Sequence, residues 1–275
     1  MRATLALPAE RSSARPWRRL ALLVAAAAVL ATWLTQTPAG LLGKVDAIGY
    51  AVCHRIDLRS FHLGDRPLPL CSRCTGMYLG ALLGFGFLAL RGRGRAARLP
   101  SLPIVLTFGL FGLAFAVDGL NSYLHFFPGA PVLYEPSNVL RLVTGTLLGL
   151  GLAVVVYPGF HQTVWRQTLD EPVLRSFGEL AVLLGAAGIV IGLVLTENPL
   201  ILYPLALVSG LGVIVLLTSV YSMVVLLLLR KENQADTWRD LAWPLLGGLT
   251  LGFLQISLLD LGRFAVTGTW SGFTL

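Results

Sequence analysis

Residues 71–90 read CSRCTGMYLGALLGFGFLAL, and this stretch decides the fold. After a polar start that contains two cysteines, residues 75–90 form an uncharged apolar run of the kind that crosses a bilayer as a helix. Glycines at positions 76, 80 and 84 recur every four residues, a spacing that lets a neighbouring helix backbone approach closely in lipid. The stretch therefore predicts a membrane-spanning helix with one tightly packed face.

Six further apolar runs have the same character. The seven candidate spans are 20–36, 75–90, 103–125, 139–157, 178–196, 200–229 and 241–260. The chain is 55% hydrophobic and 13% charged, whereas soluble domains carry about 25% charged residues. No long alternating pattern indicates a β-barrel, so the sequence predicts an all-α polytopic transmembrane bundle. The apolar segment 40–52 is too short to span, and we expect it at the membrane interface.

Glycine pairs spaced by four also occur on three other spans. They are Gly145 and Gly149, Gly188 and Gly192, and Gly248 and Gly252. We expect tight helix packing at each of these pairs, as on the second span.

The net charge of +7 is explained by membrane topology rather than by a nucleic-acid partner. Most of the 21 lysines and arginines lie at alternate span ends. These are Arg11, Arg15, Arg18, Arg19, Arg91, Arg93, Arg95, Arg98, Arg166, Arg175, Arg230, Lys231 and Arg239. Placing them inside predicts a cytoplasmic N-terminus and an outward-facing segment 37–74. A secretory signal peptide is the alternative for residues 1–36, but no convincing cleavage site is present.

All three cysteines lie within residues 53–74. Cys71 and Cys74 form a Cys-x-x-Cys pair at the mouth of the second span, a spacing that lets two sulfurs bind one tetrahedral metal ion. Cys53 and His54 could complete a zinc-type site, with His62 as the competing fourth ligand. A closed site would be structural, whereas an open position would permit hydrolytic chemistry. The sequence does not decide between these, nor whether the protein is an enzyme.

Two other interpretations of the cysteines stay open. A Cys-x-x-Cys pair at a helix N-terminus is also typical of thiol–disulfide oxidoreductases, because the helix dipole favours the thiolate. Cys53 would then be a shuttle thiol. A structural disulfide is the third interpretation, since such bonds persist outside the cytoplasm.

Polar residues also lie within the apolar spans, near the same predicted outer surface. Asp118 lies on the third span, and Asn138 and Arg141 open the fourth. Ionisable groups at membrane depth usually face a partner or a wet cavity. We therefore expect an Asp118–Arg141 ion pair and an outward-facing polar pocket, which a small-molecule or lipid transporter or binding protein could use.

These residues resemble a family of prokaryotic integral membrane proteins catalogued as a domain of unknown function. The resemblance depends on Cys53-His54, on Arg59-Ser60-Phe61, on Pro69-Leu70-Cys71-x-Arg73-Cys74-Thr75-Gly76-x-Tyr78-x-Gly80, on Asp118-Gly119 and on Asn138-x-x-Arg141-x-x-Thr144-Gly145. It covers about residues 45–155 and implies a multi-pass protein of the prokaryotic plasma membrane whose motif residues form one site. It implies no activity, substrate or cofactor.

The resemblance also suggests a division of the chain. Residues 1–36 would be a basic N-terminus and the first span, 37–157 the family-like core, and 158–275 a membrane extension of three helices. The lipid bilayer is the one partner that the sequence predicts. The identity of a small-molecule ligand and the oligomeric state stay open.

Overall fold

Long apolar helices dominate the computed structural model, which describes residues 16–273. The helices are α1 (Pro16–Gln36), α2 (Gly40–Val52), α3 (Ser72–Leu90), α4 (Leu102–Leu124), α5 (Asn138–Val164), α6 (Phe177–Leu195), α7 (Pro199–Leu228) and α8 (Ala242–Thr267). Short 3-10 turns occupy Asp57–Arg59 and Trp238–Leu241. The strands are β1 (His62–Leu63), β2 (Arg66–Pro67), β3 (Ala96–Arg98) and β4 (Leu169–Pro172). The predicted all-α architecture is confirmed.

The seven predicted spans correspond to α1 and α3–α8 with small differences at their ends. Within the described residues, seven helices are long and apolar enough to cross a membrane. Successive spans run in opposite directions, so the ends of α1, α4, α6 and α8 meet the starts of α3, α5 and α7. We call this the thiol end, because it carries all three cysteines. Arg11 and Arg15 of the predicted basic N-terminus lie outside the described residues.

The interface between α3 and α5 is the most extensive helix contact in the described chain. A Cβ atom added at Gly76 or Gly80 would collide with the α5 backbone at Leu142 or Thr146. A Cβ atom added at Gly149 would collide with the α3 backbone in the same way. The tight packing predicted at the glycines of the second and fourth spans is therefore confirmed, and the partner of each helix is the other.

The glycine pair of α6 does not behave in this way. A Cβ atom at Gly188 or Gly192 would meet no atom within 4 Å, so the prediction of tight packing there was wrong. Most of the α6 surface outside a single buried row is exposed, and its glycines lie on that free face. On α8 the prediction holds at Gly248, which packs directly against Thr218 and Ser222 of α7.

The segment between the first two spans is folded rather than an open loop. Residues 40–52 form α2, a helix of 13 residues that is too short to span and that packs against α7 and α8. Ala47, Ile48 and Tyr50 are buried in that contact. The hairpin of β1 and β2 follows and returns the chain to the start of α3. This arrangement places the end of α2 beside the beginning of α3.

Candidate functional site

The three cysteine side chains converge at the junction of α2 and α3. Cys53 is the first residue after α2, Cys71 immediately precedes α3, and Cys74 lies in the first turn of α3. Their sulfur atoms all lie within 4.8 Å of one another. We call these residues the thiol cluster. All three thiols are free, and Cys53 and Cys71 are buried.

Close contact between α2 and the segment before α3 makes this convergence possible. Gly49 lies one helical turn before Cys53, and any side chain at position 49 would overlap the carbonyl group of Pro69. Glycine is therefore required for α2 to approach the chain that leads to Cys71. The two ends of segment 53–74 therefore lie side by side, and the sulfur of Cys53 comes close to that of Cys71.

Arg263 of α8 fixes the end of α2. Its Nη1 donates to the carbonyl oxygens of Tyr50 and Cys53, both at 2.7 Å, and its Nη2 donates to that of His54 at 3.2 Å. These carbonyls are the ones that a helix end leaves without an internal partner. A cation is also favoured at this negative end of the helix dipole. Arg263 therefore holds the backbone that carries Cys53.

The thiols are electrostatically unequal. Hydrogen bonds from the Cys71 and Cys74 thiols lower the pKa of Cys53 well below its usual value. The backbone N–H of Cys71 also donates to the Cys53 sulfur at 3.4 Å. Because the Cys71 proton is held against Cys53, the pKa of Cys71 rises to about 12. The cluster therefore favours one thiolate, at Cys53, supported by two protonated thiols.

The two predicted histidines are placed differently. The group of mutually close ligand atoms in the described chain contains the three cysteines and neither histidine. The His54 ring contacts the Cys53 thiol and helps to lower its pKa, while its Nδ1 accepts from the backbone N–H of Ile56 at 3.2 Å. The His62 ring pairs instead with Asp57 at 3.1 Å. His54 is thus the histidine that borders the cluster.

An open groove leads to the thiol cluster from one side. It has a volume of about 550 Å³ and runs between the end of α2 and the last turns of α8. Cys53 and His54 lie at its α2 wall, and apolar residues such as Leu259 and Val266 of α8 form the other wall. A small molecule or an apolar chain could therefore reach Cys53.

The second predicted constellation forms around Asp118, with a different partner. Asp118 is 1% exposed and forms its ion pair with Arg73, and the hydroxyl of Tyr134 donates to it at 3.1 Å. Arg141 instead donates to Asn138 at 2.8 Å. The predicted Asp118–Arg141 pair was therefore wrong in its partner. Adjacency of α4 and α5 fixes their heights but not their rotation, and rotation directs Asp118 towards α3.

Further residues join the group around Asp118. Arg73 donates to Ser122 as well as to Asp118, and Arg59 donates to the Ser122 carbonyl at 2.8 Å. Ser122 and Tyr134 were absent from the predicted site because no local pattern marks them, and Arg59 belongs to the motifs of the resemblance but was assigned no role in the site. Only their contacts with Arg73 and Asp118 reveal them.

Fold and site together define a polytopic helical membrane protein with a cluster of thiols at one end of its bundle. Residues 53–155 match the model of the DUF2085 family, described as a predicted membrane protein. The chain belongs to this family. The matched residues begin at Cys53 and end within α5, so they include the thiol cluster and Asp118. The helices α6–α8 lie outside the matched range.

Two archaeal relatives are similar to the same part of the chain. An uncharacterized protein of Methanothermobacter thermautotrophicus is 35% identical over 104 residues, which are 38% of this chain and 83% of the relative. An uncharacterized protein of Methanocaldococcus jannaschii is 26% identical over 124 residues, which are 44% of this chain and 71% of the relative. No solved structure is significantly similar to the chain.

Proposed function

We propose that this protein binds a zinc-type metal ion through the thiolates of Cys53, Cys71 and Cys74. The observation that carries the proposal is the convergence of three sulfurs from two chain segments within 4.8 Å. Zinc–sulfur bonds of about 2.3 Å in a tetrahedron put sulfurs about 3.8 Å apart. Small side-chain adjustments would therefore bring the thiol cluster to that geometry.

The electrostatics of the cluster support the same proposal. A metal cation would replace the two protons that the thiols share, and its charge would favour three thiolates in place of one. The Cys71 backbone N–H and the His54 ring already direct donors at Cys53. His54 is the nearest candidate for a fourth ligand, and its location beside the groove would leave that position open to solvent or substrate when the histidine does not bind.

The location proposed for this site is the extracytoplasmic face of the plasma membrane. The described arginines at the end opposite the thiol end include Arg93, Arg95, Arg98, Arg166 and Arg175, and basic residues accumulate on the cytoplasmic side. The thiol end carries fewer cations, and several are buried in ion pairs with Asp46 and Asp118. This distribution supports an outward-facing thiol cluster.

Metal analysis combined with thiol counting tests the proposal. Purified protein should contain one zinc ion per chain, and the Cys71→Ser variant should contain none. His62→Ala is the matched control for His54→Ala, because the His62 ring pairs with Asp57 away from the sulfurs. Zinc affinity should fall in His54→Ala and stay unchanged in His62→Ala. Wild-type protein without metal and with three free thiols would contradict the proposal.

A second candidate, a thiol–disulfide oxidoreductase, is favoured by the groove beside Cys53. Oxidation of Cys71 and Cys74 would form one sulfur–sulfur bond and release two protons and two electrons, which an apolar quinone-type acceptor in the groove could take up. A reducible Cys71–Cys74 bond in metal-free purified protein would support this function. Stoichiometric zinc with three alkylatable thiols after chelation would exclude it.

A further inference from the structure

Three arginines lie together at the thiol end with a single carboxylate among them. Arg59 and Arg141 are 8% and 6% exposed, and Arg73 is only slightly more open. Arg59 and Arg73 both donate to Ser122. Asn138, which accepts from Arg141, donates to the carbonyls of Leu58 and Ser60 on either side of Arg59. We call these three residues the arginine cluster.

The charges of this cluster do not balance. Asp118 is the one carboxylate in it, and its oxygens are taken by Arg73, Tyr134 and Thr144. Arg59 has a backbone carbonyl and the ring of Phe126 as partners, and burial beside Arg141 and Arg73 lowers its pKa to about 10. Within residues 16–273, no carboxylate forms an ion pair with Arg59 or Arg141, and an unpaired buried charge is costly.

Arg141 shows the lack of hydrogen-bond acceptors and negative charge most clearly. Among the described residues its guanidinium makes one side-chain hydrogen bond, to the neutral amide of Asn138, and its buried Nε has no partner. Arginine offers five N–H donors in a planar fork that matches two oxygens of one oxyanion. A buried arginine with unused N–H donors, next to two other arginines, has the chemistry of an oxyanion-binding site.

We infer that the arginine cluster binds a phosphate-type oxyanion, with Arg141 and Arg59 as its direct ligands. A dianion would balance the excess of two positive charges and supply acceptors for the unused donors of Arg141. The phosphate could belong to a free anion or to a lipid headgroup. Hydrogen phosphate would offset both positive charges, whereas a phosphodiester headgroup carries one negative charge and would offset one of them through its two non-bridging oxygens. This inference does not depend on metal binding by the thiol cluster.

The loop 125–137 lies over the arginine cluster. Tyr134 contacts Asp118 with its hydroxyl, and the side chain of Asn121 holds the backbone of Leu133 and Tyr134 at 2.7 and 2.8 Å. These contacts hold the loop against Asp118, the carboxylate that lies among the three arginines. Asn121 and Tyr134 are positioning residues in this account.

Binding measurements on the full chain in detergent, with thermal unfolding as the readout, test the inference. Inorganic phosphate should raise the unfolding temperature of wild-type protein saturably, and Arg141→Gln should bind at least about tenfold more weakly. Arg98→Gln is the matched control, because Arg98 is exposed at the opposite end. In a second arm, native mass spectrometry after exchange into nanodiscs of phosphatidylglycerol and phosphatidylcholine should show retained anionic lipid.

The two arms distinguish the sources of the phosphate. A response to inorganic phosphate that Arg141→Gln loses supports a free anion, and selective lipid retention that Arg141→Gln loses supports a headgroup. If Arg141→Gln does not fold, Arg59→Lys keeps the charge but not the fork, and it should weaken whichever response the wild type shows. Absence of both responses in folded wild-type protein, or equal responses in wild type and folded variant, would overturn the inference.

Discussion

At the scale of single residues, the surroundings of each ionisable group decide what that group can do. Cys53 receives donors from Cys71, Cys74 and the His54 ring, so its sulfur is the natural anion of the thiol cluster. Asp118 receives donors from Arg73 and Tyr134 and is saturated. Among the described residues, the side chain of Arg141 donates to the neutral amide of Asn138 and forms no ion pair. The same end of the bundle therefore offers a soft anionic centre for a metal and a hard cationic centre for an oxyanion.

The ion pair of Arg73 and Asp118 yields the first prediction. Asp118→Asn should destabilise the protein by about 3–5 kcal/mol, because it leaves a third buried guanidinium uncompensated. The double variant Arg73→Met with Asp118→Leu should lose less than the sum of its two single changes. Chemical unfolding in detergent measures both effects.

Glu135→Gln serves as the control for that experiment. Glu135 is 86% exposed and lies 3.8 Å from His125, so its loss should cost less than about 1 kcal/mol. Additive effects of Arg73→Met and Asp118→Leu would show that the two side chains do not interact, and the corrected pairing would then be wrong.

The sequence identified Asp118 and Arg141 as charged residues at membrane depth, and it assigned them the wrong relationship. The charge of a side chain follows from its residue type, and its height along a helix follows from its position at about 1.5 Å per residue. The direction in which a side chain leaves its helix depends on how three helices pack. Arg73 on α3 and Arg141 on α5 both lie on helices next to α4 in sequence, so adjacency alone could not choose between them as the partner of Asp118.

At the scale of helices, glycine determines where backbones meet. On α3 and α5 the glycines at positions 76, 80, 145 and 149 each lie against the backbone of the other helix, and each would clash if it carried a side chain. Between Gly49 and Pro69 the same device brings α2 to the start of α3. The four-residue spacing predicted tight packing at the glycines of α3 and α5. It could not predict the contact between Gly49 and Pro69, which depends on a lone glycine.

A matched pair of substitutions tests this account of glycine. Gly149→Ala should destabilise the protein by about 1–3 kcal/mol, because its methyl group would overlap the Met77 carbonyl of α3. Gly188→Ala should be neutral or stabilise by up to about 1 kcal/mol, since nothing lies within 4 Å and alanine favours helix.

Thermal unfolding of both variants in the same detergent gives the comparison. Equal loss of stability in Gly149→Ala and Gly188→Ala would contradict the close α3–α5 contact and would indicate a general cost of alanine at these positions.

At the scale of the whole molecule, the helices outside the family match contribute to the site within it. Val213 of α7 and Phe253 and Ile256 of α8 belong to the same buried apolar cluster as Cys53 and Cys71. Arg263 of α8 binds the carbonyls at the end of α2. The sequence separated core from extension at the family boundary, but packing joins them at the thiol end. The apolar composition of the sequence identifies each span separately. It does not show which spans pack against the residues of the thiol cluster.

The orientation of the molecule can be tested with two introduced cysteines. Glu135 at the thiol end and Asp170 at the opposite end are both acidic and 86% exposed. A membrane-impermeant maleimide applied to intact cells should label Glu135→Cys and leave Asp170→Cys unlabelled until the cells are broken. The unmodified chain provides the background from its own three cysteines. The reverse labelling pattern would place the thiol cluster in the cytoplasm.

X-ray absorption spectroscopy at the zinc edge tests the central claim most directly, because it reports which atoms surround the metal. The zinc-loaded protein should show three sulfur neighbours at about 2.3 Å and one lighter neighbour. The Cys53→Ser variant, reconstituted with excess zinc, should show one sulfur neighbour fewer. A shell of only nitrogen and oxygen atoms, or one unchanged in Cys53→Ser, would show that the thiol cluster does not hold the ion.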